Sequence, residues 1–375
     1  MNKNVKFRMK LKKLTHSKFI YILLIMCIFF YSVIYIAAIP YGGIFAASCK
    51  WDCSWYQEIA NTGYALQPKT FPLFQKGQAN WAFFPLYPEL MRSISLITHI
   101  STQKTGLIIN LSFWPVLICL CIKDLEIRKI KVERNFLLLF FLLYPLNIWY
   151  FAQYSEGIYG VTMMAAICML RQKKIYLAAI GCTLMSLARP TGFMMTCCLA
   201  LWYVLQEEIS WKDIRRDQTP IIGGMVLIAG GCLGLFSYML FLHNLVGDGL
   251  AFVHIEAAWH RKFGFFLYNV VKAFTQKHFI KYALFAIVSF FILWKMASKK
   301  WALNAFLAGV TAFVALSTGV ESFERYFFGN PLVIQYLAVT AATGSKKRSY
   351  GFLGAMLFLH ILTTILWFKQ SGWVM

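Results

Sequence analysis

Long apolar runs recur from one end of the chain to the other, and they constrain the fold more than any motif does. Eleven lie near 19–39, 105–122, 135–151, 155–170, 175–188, 191–206, 220–242, 278–296, 301–318, 326–343 and 350–368. Crossing ~30 Å of hydrocarbon takes about 20 apolar residues in helical form. In lipid every backbone amide must be bonded within its own segment, so runs of this kind are expected to be helices. Only 14% of the residues are charged, against roughly 25% in soluble domains. The fold class expected is therefore an all-α polytopic membrane protein with about 11 transmembrane helices, forming a single membrane-embedded domain over 1–375.

The net charge of +22 could point to a nucleic-acid partner. However, the basic residues sit between the apolar runs and no stretch is polar enough to fold into a soluble domain with a basic face, so no nucleic-acid partner is expected. They read instead as topology signals, because lysine and arginine concentrate in the short cytoplasmic connections of membrane proteins. With residues 1–18 placed in the cytoplasm, every short inward connection is basic: 123–134, 171–174, 207–219, 295–300 and 346–348. The C-terminus then falls outside. Residues 1–18 followed by the run 19–39 resemble a signal peptide, and Ala46, Ala47 and Ser48 would permit cleavage. The run exceeds the usual signal core of roughly 7–15 residues, which favours a retained anchor. Of the ten cysteines only Cys49 and Cys53 lie outside apolar runs, and no metal-type C-x-x-C spacing occurs.

Two outward segments are long, 40–104 and 243–277, and loops of that size in a compact protein are usually functional. In the first, Trp51, Trp55 and Ile59 recur at helical spacing, with Ser54, Gln57, Glu58 and Asn61 opposite and Gly63 as a stop. This predicts an amphipathic helix lying flat on the membrane, tryptophans toward lipid. Asp52 falls in its first turn, near the positive end of the helix dipole. It reads either as a helix N-cap or as an acid with a chemical role. A second surface helix is expected to start near Pro88 and carry Glu89 and Arg92. Glu58 and Glu89 read as solvated face.

Other polar groups fall on the same side. They are Tyr154-Ser155-Glu156, Arg189-Pro190-Thr191-Gly192, the stretch 247–262 with Asp248, His254, Glu256, His260 and Arg261, and the run from Glu321 to Arg325 and Tyr326. Helix ends must meet water somewhere, which accounts for Lys272, Lys277 and Lys281. It accounts less well for Arg189 and Arg325, each abutting a span in a short turn. A surface carboxylate with nearby arginine and histidine suits transfer of a sugar from a lipid phosphate. Such a transfer needs a base for the acceptor hydroxyl and cations for the departing phosphate. It needs no acid for the leaving group, unlike glycoside hydrolysis with its carboxylate pair.

In order along the chain stand W51-D-C-S-W-Y-x-x-I-A-x-x-G-Y64, A82-F-F-P-L-Y-P88, Y154-S-E156, R189-P-T-G192, G247-D-G-L-A-F252 with W259-H-R261, and R325-Y326. In these the chain resembles the PIG-V-like mannosyltransferases, the group that includes the second mannosyltransferase of GPI-anchor synthesis and its bacterial relatives, within the GT-C superfamily. The resemblance implies a GT-C-type fold with a large first extracytoplasmic loop. It implies an inverting transfer of a sugar, usually mannose, from a polyprenyl-phosphate donor to a hydroxyl of a glycolipid or cell-surface glycan. Asp52 would be the catalytic base, with Arg189, Arg261, Arg325 and His260 at the donor phosphate. Trp51, Trp55, Tyr56, Glu156, Asp248 and Tyr326 would stand at the sugar and acceptor. No cofactor and no metal is expected. Cys53 and Ser54 stand where bacterial relatives often have W-D-A or W-D-G, and Gly249 where G-D-P is commoner. The membrane implied is a bacterial plasma membrane, or the ER in a eukaryotic host. A transporter or flippase of a lipid-linked sugar is the alternative. Against it, transporters bind near the midplane in repeated halves, and here no repeat is visible.

Overall fold

The computed structural model describes residues 3–206, 218–298 and 300–371. Most of the expected inward connection 207–219 therefore lies outside the described residues, as do Met1 and Asn2 of the N-terminal segment. The regular structure among the described residues is all helical, with no strand. Among the described residues, four helices are long and apolar enough to cross a membrane: Lys18–Tyr41, Thr102–Ile127, Thr219–Val246 and Lys346–Phe368. Shorter apolar helices include Ile175–Ala188, Pro190–Leu205, Ala302–Thr318 and Pro331–Ala342. Large apolar side chains face outward along the long helices, Phe29 at 71% exposure and Phe358 at 69%. Such surface is unfavourable in water and suited to lipid, so the chain has the build of a helical integral membrane protein.

Helices meet in this bundle where side chains are small. The Thr219–Val246 helix lays Gly230 and Gly234 on the backbone of Ile175–Ala188; a Cβ at Gly230 would stand 2.5 Å from the Ala179 carbonyl, and one at Gly234 2.4 Å from that of Thr183. Thr183 Oγ1 also donates to the Gly230 carbonyl at 2.8 Å. Small residues four apart are a standard solution in lipid, where close backbone approach replaces the hydrophobic effect as the source of association. At the expected inward end, a buried Asp124 joins several helices. It pairs with Arg128 at 3.1 Å and Arg171 at 2.6 Å, and accepts from Gln335 Nε2 at 3.0 Å.

Two expected runs are broken rather than straight. The run 135–151 divides into Arg134–Leu143 and Pro145–Phe151, bent by 67°. Pro145 lacks an N–H, so the helix cannot continue through it. Asn147 closes the break, its Nδ2 donating to the carbonyls of Phe141 at 3.2 Å and Leu142 at 2.7 Å. The run 326–343 divides into Phe323–Phe328 and Pro331–Ala342, with Asn330 capping the second piece through Leu332 N–H at 2.9 Å. Two tyrosines tie the breaks together: Tyr144 Oη donates to the Phe328 carbonyl at 3.0 Å and Tyr150 Oη to that of Gly329 at 2.5 Å. These breaks bring Tyr154 and Arg325 to one place.

Asn147 is nearly fully buried, so replacing it with leucine of similar size would leave two carbonyls without a donor. Asn147→Leu is expected to cost about 1–3 kcal/mol and lower the unfolding temperature in detergent. An unchanged unfolding temperature would contradict this account of the bend.

Candidate active site

The first loop does form the expected helix, over Cys53–Thr62, and Gly63 ends it with φ 85°. The orientation differs from expectation. Trp55 and Tyr56 are 4% exposed and Ile59 is fully buried, so the apolar stripe faces the protein and not lipid. The reason is a partner surface: Trp55 stacks on Phe83 at 5.7 Å and meets Trp259 of the second long loop edge-on at 5.8 Å. Burying these rings against other aromatics is worth more than laying them at an interface. The second surface helix spans Leu86–Thr98, starting two residues before Pro88, and leaves Glu89 exposed. Glu58, expected in solvent, pairs with Lys69 at 2.5 Å.

A backbone clamp sets the position of Asp52. Cys49 and Cys53 form a disulfide across the turn that contains it. Trp51 takes φ 42° and packs on Trp367 at 5.0 Å. Behind the turn, Trp367 Nε1 donates to the Ala47 carbonyl at 2.7 Å, Gln153 N–H to that of Ser48 at 3.0 Å, and Tyr154 Oη to that of Lys50 at 2.8 Å. Asp52 occupies the N-cap position, yet its carboxylate makes no capping bond. The amides of Cys53, Ser54 and Trp55 already bond to the carbonyls of Lys50, Trp51 and Asp52. Its Oδ2 accepts instead from Arg325 Nη1 at 2.5 Å.

Arg325 links Asp52 to a buried centre. Its Nε donates to Glu156 Oε1, and the same oxygen accepts Arg189 Nη2 at 2.8 Å. Glu156 and Arg325 are nearly sealed, with side chains 6% and 5% exposed. Arg189 also donates through Nε to Ser155 Oγ at 3.1 Å, and that hydroxyl is 2.8 Å from Tyr56 Oη. The hairpin carrying Arg189 closes tightly, because a Cβ at Gly192 would stand 2.1 Å from the Met185 carbonyl. Only glycine fits this approach, which gives R189-P-T-G192 a physical basis.

Tyr326 lies between three guanidinium groups. Its ring centre is 5.6 Å from Arg189, 5.8 Å from Arg325 and 5.7 Å from Arg261, within cation–π range. Arg261 also donates to its hydroxyl at 3.4 Å and pairs with Glu256 at 3.7 Å. The Tyr326 hydroxyl beside it and Glu256 hold the Arg261 guanidinium above its ordinary pKa, so it stays charged at any working pH. Burial pushes the Glu256 carboxyl above the usual range, with Arg261 opposing.

The structure thus joins Asp52, Glu156, Arg189, Arg261, Arg325 and Tyr326. Tyr56 reaches this group only through Ser155, and the remaining expected residues stand apart from it. Asp248 is exposed and spent on His254 at 2.7 Å and on Leu250 N–H at 2.9 Å. His260 is exposed, capping the turn Ile255–Trp259 in left-handed conformation. Trp55 and Tyr56 are wall residues, too buried to face a sugar, and Glu156 is an internal counter-charge and not a surface ligand. Trp367 and the disulfide pairing were not foreseen, and Tyr154 and Ser155 were singled out only as part of Y154-S-E156, without a role. The one signal for the disulfide was that Cys49 and Cys53 alone lay outside apolar runs. Among the described residues no group of three or more His, Cys, Asp and Glu is placed to hold a metal ion.

Removing this buried carboxylate leaves Arg189 without an acidic partner and Arg325 with Asp52 alone. Glu156→Gln is expected to lose about 3–5 kcal/mol, while Glu58→Gln, at a half-exposed pair, loses about 0–1 kcal/mol. Equal unfolding temperatures for the two variants would refute this ranking. No family model and no curated protein matches the chain.

Proposed function

We propose that the chain is an inverting glycosyltransferase of GT-C type with about eleven spans. It would move a sugar, mannose by the resemblance, from a polyprenyl phosphate to a hydroxyl of a glycolipid or cell-surface glycan. The observation that carries the reading is the pairing of one rim carboxylate, Asp52, with arginines from three separate segments around Tyr326. Asp52 is 37% exposed, so an acceptor hydroxyl can reach it. It would take the hydroxyl proton as that oxygen attacks the anomeric carbon. The bond from that carbon to the phosphate oxygen breaks, and the electron pair leaves with the polyprenyl phosphate. Arg325, Arg189 and Arg261 would stabilise the charge that collects there. The Cys49–Cys53 disulfide supports an outward, oxidising location for this face, since such bonds are rare in the cytosol.

One observation favours the transport reading. The two broken runs lie beside the cluster, and transporters build substrate sites on discontinuous helices. Donor-dependent sugar transfer in detergent, where no sealed membrane exists, separates the readings, because a pure transporter gives none.

With labelled polyprenyl-phosphate mannose and membranes containing the chain, Asp52→Asn is expected to lower transfer by about 10²–10⁴-fold, the usual contribution of a general base. EDTA is expected to leave the wild-type rate unchanged. Near-normal transfer by Asp52→Asn would remove the role assigned to this residue, and loss of activity in EDTA would require a metal.

A further inference from the structure

Asp52 is engaged before any chemistry, and its partner is one of the arginines assigned to the phosphate. Arg325 holds two anions of different kinds. Glu156 takes its Nε, is 6% exposed and shares its oxygen with Arg189. Asp52 takes its Nη1 at 2.5 Å and is 37% exposed. The guanidinium lies 4.3 Å from the Tyr154 ring centre, and Tyr154 is buried. Glu156 and Tyr154 therefore fix Arg325 from the protein side. Its Nη2 has no hydrogen bond among the described residues, and nor does Nη1 of Arg189. Asp52, on Nη1, is the more exposed of the two anions that Arg325 holds.

The weaker of the two pairs must yield. The inner pair is desolvated and hydrogen-bonded into a network, so breaking it strands buried charge. The outer pair has one partner at the rim, so opening it costs less than breaking the inner pair. A phosphate offers several oxygens to a guanidinium and can bridge Nη1 and Nη2, which one carboxylate oxygen does not. We propose, resting on the transfer reading above, that the donor phosphate and Asp52 compete for the same edge of Arg325. Phosphate binding then releases the Asp52 carboxylate to act as the base. Glu156 is the positioning residue of this exchange, because it keeps Arg325 in place while its outer partner changes. The donor thereby arms the base, and the acceptor is activated only after the donor is seated.

Carbodiimide labelling of carboxylates on the full-length chain in detergent, resolved by peptide mass spectrometry, tests this directly. The probe is farnesyl phosphate, which carries the phosphate but lacks the sugar that would cover Asp52; farnesol is the uncharged control. Farnesyl phosphate is expected to raise labelling at Asp52 roughly fivefold, the factor for freeing a rim-exposed ion pair. Farnesol should not, and exposed Glu89 should not change with either. Arg325→Gln should label strongly at Asp52 with or without the probe. If radiolabelled farnesyl phosphate is retained and Asp52 labelling stays level or falls, the exchange is wrong while the transfer reading survives. If it is not retained at all, the phosphate assignment of the arginines falls, and this inference with it.

Discussion

One buried carboxylate, Glu156, holds two arginines from opposite parts of the chain, and the candidate site depends on it. Arg189 arrives from the turn between two helices and Arg325 from a short helix between two breaks. Two positive charges this close repel each other unless an anion lies between them, and an anion this deep is costly unless cations surround it. Each group makes the burial of the others possible. The surrounding devices serve this arrangement. Gly192 closes the hairpin that presents Arg189, while Tyr144 and Tyr150 brace the break that presents Arg325. Ser155 and Tyr56 then connect the centre to the first-loop helix.

Asp52 differs from Glu156 in exposure more than in chemistry. Both are carboxylates on Arg325, yet one is sealed and the other stands at the rim. The inner acid fixes geometry and the outer acid is open at the rim. The turn that carries Asp52 is stiffened by a disulfide and by three hydrogen bonds from behind. That stiffness suits the role proposed for Asp52, which requires a set distance from a reacting hydroxyl.

Much of the architecture was legible in the apolar runs, because helix is the one local answer lipid permits. Every run holds helix among the described residues, and Gly63 ends its helix as expected. The breaks at Pro145 and Gly329 were not legible. A proline or glycine inside an apolar run says that a helix can bend, but the bend is chosen by distant donors such as Asn147 and Tyr150. The polar groups at one end were legible as a set, whereas their individual partners were not. Asp248 and His260 share a loop with Arg261 and sit away from the cluster, because a single turn of backbone decides which side chain faces inward. The direction of the Trp55 stripe went the other way from expectation, since periodicity gives the apolar face of a helix and not what covers it.

In the proposed reaction a single rim carboxylate and a set of arginines suffice for direct displacement at the anomeric carbon. The stereochemistry of the product reports on that most directly. Sugar transferred from a polyprenyl-phosphate donor of known anomeric configuration, to an acceptor in detergent, can be examined by proton NMR of the new linkage. Direct displacement predicts that the anomeric configuration inverts. Retention would mean a covalent intermediate or a same-face displacement, and would contradict Asp52 acting as the base of a single direct displacement.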